Sequence, residues 1–93
     1  MAQFASPKGP TEVKEYTLNW ADALNDSESI VTSDWTAPTG ITIDDDANTA
    51  TTATVILSGG TAGVEYAIEN TITTNSTPAR TLVETLFVPV TTL

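Results

Sequence analysis

Cysteine and histidine are both missing from this chain. Without cysteine there is no disulfide framework, no thiolate nucleophile and no thiolate-ligated zinc. Without histidine the commonest general base and the commonest transition-metal ligand are gone, and a Ser-His-Asp triad is impossible. Positive charge is almost as scarce: Lys8, Lys14 and Arg80 face twelve acidic residues, giving a formal net charge of −9. Nucleic-acid binding needs a basic stripe that displaces counterions from phosphate, so no nucleic acid is expected as a partner, and no anionic membrane surface for the same reason. Long apolar runs are missing too. Nothing approaches the roughly 20 residues of a membrane span, and Met1–Pro10 lacks the apolar run of about 7–15 residues in a secretory signal. The chain is therefore expected to be made in the cytoplasm and to stay soluble.

What the sequence does have is threonine, 19 residues of 93, with plentiful valine and isoleucine. These side chains branch at Cβ, which stiffens χ1 and suits a pleated sheet better than a helix. The length allows one domain and one core, burying roughly 60–65% of the unfolded surface. Met1–Pro10 carries Pro7, Gly9 and Pro10, which break regular structure, and Phe4 is its only large apolar group besides Met1. Residues 1–11 are read as an N-terminal arm, either frayed or laid across a neighbour, and 12–93 as the folded domain.

Period-two alternation marks the strands. Tyr16, Leu18 and Trp20 share one face of a first strand, followed by a single helical turn at Ala21–Asp26. Ser29–Thr36 places Val31, Ser33 and Trp35 together, with a polar interior that predicts a bulge near Ile30 and Val31 or an edge position. Ala37–Gly40 is a turn, Ile41 and Ile43 form a short strand, and Asp44–Asn48 reads as a polar loop. Thr51–Ser58 alternates with Ala53, Val55 and Leu57 inward. After the glycine corner Gly59–Gly63, Tyr66, Ile68, Asn70 and Ile72 line the next strand. The last, Arg80–Val90, has Leu82, Leu86, Val88 and Val90 on one side and Phe87 on the other. About seven short strands with turns every 8–12 residues predict an all-β, immunoglobulin-like β-sandwich. Tyr66 stands where such folds place a tyrosine that hydrogen-bonds back to its corner, or else is simply a core aromatic.

The chemistry available is thin. Asp44, Asp46 and Asn48 match the first three ligand positions of an EF-hand loop, but position six is Thr49 instead of glycine and position twelve is Val55 instead of glutamate. A solvated acidic turn is the expectation, with a weak cation site as the alternative. Glu65, Glu69 and Glu84 are expected on solvent faces, without the cleft that a carboxylate pair needs for catalysis. Gly59-Gly60 lacks the GK[ST] of a phosphate loop. No catalytic residue and no cofactor is expected. The acidity fits either solubility or complementarity to a basic partner surface. Arg80 fits a surface ion pair or an interface anchor. Leu86-Phe87-Val88 puts large apolar groups on both faces of the last strand, so Phe87 needs cover from the arm or from another subunit. Phe4, Pro7, Lys8, Arg80 and Phe87 are the candidate partner contacts.

Four runs carry a family resemblance: Glu12–Trp20, Ser33–Ile41, Thr54–Gly63 and Tyr66–Thr74. Together they are similar, in order, to small structural proteins of tailed bacteriophages of the fiber–tail adaptor type. Arg80 is retained, while its lead-in Asn75–Ala79 departs from that pattern. The resemblance implies a virion structural protein made in the host cytoplasm. It would dock tail to fiber in many symmetric copies, where avidity strengthens modest contacts. Capsid decoration (cement) proteins are the second likeness, being small β domains that clamp capsomers with arms. A free calcium- or carbohydrate-binding module is the reading from a different class.

Overall fold

Residues 2–92 are described by a computed structural model of the chain, and they divide between two β-sheets. The strands are β1 (Ala2–Phe4), β2 (Lys14–Asn19), β3 (Ile30–Thr36), β4 (Ile41–Asn48), β5 (Thr52–Gly59), β6 (Glu65–Thr74) and β7 (Thr81–Pro89). One sheet runs β1-β7-β6-β3 and the other β2-β5-β4. All pairs are antiparallel except β1 with β7. The β3-β6-β7 and β2-β5-β4 groupings correspond to the C-F-G and B-E-D groupings of immunoglobulin-like sandwiches.

The inward positions are those that alternation selects. Ala53, Val55 and Leu57 of β5 face Ile68 and Ile72 of β6 and Leu86 and Val88 of β7 within one core, together with Leu18 and both tryptophans. Each large aliphatic side chain buried there contributes roughly 1.5–3 kcal/mol relative to exposure. The expected helical turn is a single 3-10 turn, Ala21–Ala23.

At the corner between β5 and β6 the Tyr66 hydroxyl accepts a hydrogen bond from the Thr61 backbone N–H at 2.9 Å. Tyr66 is also buried in the core, so it fills both roles foreseen for it. Gly40 makes room for it: a Cβ there would lie 3.2 Å from the ring.

Three expectations are corrected. The Asp44–Asn48 run is not a loop but the second half of β4, paired with β5 from Asp45↔Ile56 to Asn48↔Ala53. Ladder bonds use the backbone, so exposed aspartates on an edge strand are tolerated despite poor β-propensity. Val31 does not share a face with Trp35. A register shift between Ile30 and Thr32 resets the alternation, burying Ile30 and leaving Val31 59% exposed. Glu84 is not on a solvent face but buried, because it has the same parity as Leu82, Leu86 and Val88 on β7.

Candidate functional site

The N-terminal residues run along β7 of their own sheet. Ala2, Gln3 and Phe4 pair with Thr85, Leu86 and Phe87, and Lys8 bridges to Val90. The Ala5 and Lys8 backbone N–H groups donate to the carbonyls of Phe87 (2.8 Å) and Pro89 (2.9 Å). Proline and glycine prevent a longer strand here, yet Lys8 is fully buried. Its ammonium donates to the carbonyls of Gly59 (2.7 Å) and Gly9 (2.9 Å). Pro7 is exposed, and its carbonyl accepts from Lys14 Nζ at 2.9 Å. The Ser6 carbonyl accepts from the Tyr16 hydroxyl at the same distance.

On the outer face, the ring of Phe4 stacks on Phe87 with centroids 5.2 Å apart. Phe87 is half-buried by this contact and Phe4 remains 78% exposed. Across the sheet, Phe4 pairs with Phe87 and Phe87 with Ala67, so an apolar row crosses three strands. Glu65 and Glu69 flank Ala67 two residues away on the same face of β6, both exposed. This is the one place where the structure brings together two of the residues singled out from sequence as partner contacts.

Arg80 lies at the other end of β7. Its guanidinium forks onto Glu28, with Nε donating to Oε2 at 2.9 Å and Nη2 to Oε1, while Nη2 also donates to the Ala23 carbonyl at 3.0 Å. The Arg80 hydrogen bonds, aided by the Asn25 backbone N–H, hold the Glu28 carboxyl well below the usual carboxylate range. The side chain of Arg80 is 37% exposed and that of Glu28 nearly covered. Arg80 thus pins the 3-10 turn and the segment before β3 to the start of β7.

Asn70, which alternation places on the face of Tyr66, Ile68 and Ile72, is buried with them, whereas the burial of Glu84 was not legible. Asn70 accepts from the Trp20 indole N–H at 2.9 Å and donates to Ser33 Oγ (3.0 Å) and the Asp34 carbonyl (3.1 Å), tying the two sheets through the core. Glu84 pairs with Asn70 across the ladder. Neither of its oxygens meets a hydrogen-bond partner among the described residues, and burial pushes its carboxyl up. Only its parity with Leu82 and Leu86 could have signalled that position.

Asp44, Asp46 and Asn48 are strung along an extended strand, where alternate residues stand about 7 Å apart instead of curling round an ion. The Asp44 carboxylate accepts from Ser58 Oγ at 2.9 Å, and Asp45 from the Asp46 N–H at 2.9 Å. Among the described residues no cleft or cavity is present and no acidic cluster converges on a point. What the molecule offers chemically is surface: an elongated body of 45 × 20 × 18 Å with an exposed aromatic stack near one sheet edge.

A family model described as podophage GP4 fiber-tail adaptor protein gp77 matches residues 8–89, which covers every strand except β1. No curated protein and no solved structure matches the chain.

Proposed function

Because the chain belongs to the podophage GP4 fiber-tail adaptor protein family (gp77), we propose that it is a passive docking part of the virion that holds fiber to tail. The family makes it a phage structural protein; the docking role is our reading. The observation that carries it is the extent of the match, which spans the sandwich from the Lys8 clasp to the end of β7. A closed core with a hydrogen-bonded corner and a pinned N-terminal segment is a stiff body. Stiffness favours docking, since little conformational entropy is left to lose on binding.

No step of this function needs chemistry. Binding surfaces face outward from two sheets, and a rigid body of this shape can present one to the tail and another to the fiber. Repetition around the tail axis would multiply each modest contact through effective concentration. The partners are other virion proteins and the location is the phage particle, after synthesis in the host cytoplasm. With a net charge of −9, nucleic acid is not a partner.

Particles assembled without this chain provide the test. Negative-stain images should show filled heads and tails of normal length that lack fibers. A full set of fibers on such particles would overturn the adaptor reading.

A further inference from the structure

Exposed sheet edges invite further strands, and soluble proteins usually blunt them with charge, bulges or cover. Among the described residues there are four edge strands: β1 and β3 in one sheet, β2 and β4 in the other. β4 carries Asp44, Asp45 and Asp46 and a register shift between Ile43 and Asp45. β3 carries Asp34 and the shift between Ile30 and Thr32. β2 carries Lys14 and Glu15, and the Ser6–Pro7 segment lies against it through Tyr16 and Lys14. β1 has no charge, bulge or cover, and its blunting device is its length of three residues. Its sequence is Ala-Gln-Phe, uncharged, with a continuous register to β7.

The free side of β1 is also the one that bears Phe4. In a parallel ladder, alternate residues direct their N–H and C=O to opposite sides. The Ala5 N–H donates to Phe87, so the backbone groups of Phe4 point away from β7, toward the open edge. Its ring, 78% exposed and stacked on Phe87, lies at the end of the apolar row that starts at Ala67. Backbone donors, backbone acceptors and an uncovered aromatic side chain therefore meet at one place.

We propose that β1 receives an extended segment of another virion protein as an added strand, with an apolar side chain of that segment covering Phe4. This rests on the adaptor reading and names the chemistry of one of its contacts. Charge argues for a different protein over a second copy. The chain carries −9, and Lys8 and Arg80 are both engaged internally, so two copies repel. Glu65 and Glu69 lie two strands in from the edge, about 10 Å away. They face the body of the partner instead of the added strand itself, and they favour lysine or arginine there. Main-chain hydrogen bonds supply the attachment and the Phe4 contact the selectivity, the usual division of labour in strand addition. The short length of β1 limits self-pairing in the free protein.

A matched pair of variants separates edge from ring. Phe4→Ala removes the ring and keeps the outward N–H; Phe4→Pro removes both and breaks no bond to β7. Each full-length variant is assembled into particles in place of the wild-type chain, and its occupancy is measured by quantitative mass spectrometry, with thermal melting of the purified protein alongside. Occupancy should fall about tenfold for Phe4→Ala and further for Phe4→Pro, at nearly unchanged melting temperature. If Phe4→Pro melts early, the comparison passes to Phe4→Ala and to Glu65→Lys/Glu69→Lys, which leave the edge intact and should each lower occupancy. Equal occupancy for Phe4→Ala and a stable Phe4→Pro would overturn strand addition. Wild-type occupancy for every variant would overturn the whole proposal while leaving the adaptor reading standing. Absence of the wild-type chain from particles would overturn both. A dimer of the free protein in sedimentation that Phe4→Pro abolishes would assign the edge to a second copy and contradict the proposal.

Discussion

The ammonium of Lys8 donates to the carbonyl of Gly59 at 2.7 Å, joining the N-terminal segment to the corner between β5 and β6. A fully buried lysine held only by carbonyls is a rare arrangement, because the charge loses its hydration and gains no carboxylate. The two carbonyls stand in for part of that lost hydration.

Replacing Lys8 should cost stability through the lost charge-assisted bond to Gly59, since the Gly9 carbonyl keeps the Glu12 N–H. Lys8→Met keeps the packing volume and removes the donors, and a loss of about 1–3 kcal/mol is expected in urea unfolding. Deleting residues 1–10 also removes the backbone bonds from Ala5 and Lys8 to β7, and should lower stability by more than the point change. A truncated chain as stable as the full one would show that the clasp is ornamental to the fold.

The Trp20–Asn70 link predicts non-additivity. Asn70→Leu strands the Trp20 indole N–H in the core and removes the donor to the Asp34 carbonyl, for a loss of about 1–3 kcal/mol. Trp20→Phe removes the donor at the price of a cavity. In a double-mutant cycle the combined loss should be smaller than the sum, since the orphaned indole is absent from the double variant. Strict additivity would mean that the two side chains are not coupled.

Stability should peak on the acid side of neutrality, because two covered carboxyls oppose each other. Glu28 has its folded pKa depressed by Arg80, so the unfolded chain takes up the proton first. Its contribution is complete above about pH 5 and is lost as pH falls through about 4 and below. Glu84 has its folded pKa raised by burial, so the folded chain holds the proton more tightly. Its contribution is complete in acid and is lost as pH rises from about 4 through the raised value. Urea unfolding across pH should show both limbs. Glu84→Gln should flatten the alkaline limb and raise stability at pH 7, and Arg80→Met should weaken the acid limb.

Two corner glycines with similar backbone angles should respond differently to alanine. Gly60 has φ +98°, and an added Cβ would lie 2.7 Å from Val90 Cγ2. Gly63 has φ +90° and open space around it. Gly63→Ala should lose roughly 1–2 kcal/mol from backbone strain alone, and Gly60→Ala that plus an overpacking loss of about 1–3 kcal/mol. Thermal melts of both variants check the order.

Much of the fold was legible because alternation is a strong signal where one face is buried. Tyr16, Leu18 and Trp20, then Ala53, Val55 and Leu57, then Tyr66, Ile68 and Ile72, all read correctly from spacing. Misreadings arose where residue type was allowed to outweigh position. Three aspartates suggested a loop, although an edge strand bonds through its backbone. Glutamate at 84 suggested solvent, although Leu82 and Leu86, two residues either side, pack toward the core. The bulge near Ile30 and Val31 was legible from the polar interior of that strand, but not that its inserted residue would turn Val31 away from the face of Trp35. The candidate contacts were only partly legible for a related reason. Phe4 and Phe87 stood out as apolar groups without a core position, but their pairing depends on a parallel ladder between segments more than eighty residues apart in the chain.

The most direct test of the central claim is the stoichiometry of this chain in purified particles, measured by quantitative mass spectrometry against the major capsid protein. The adaptor reading predicts a number of copies far below that of the shell protein, lost together with the fibers when tails are stripped of them. A copy number comparable to the shell protein, retained on tailless heads, would contradict it and place the chain on the capsid.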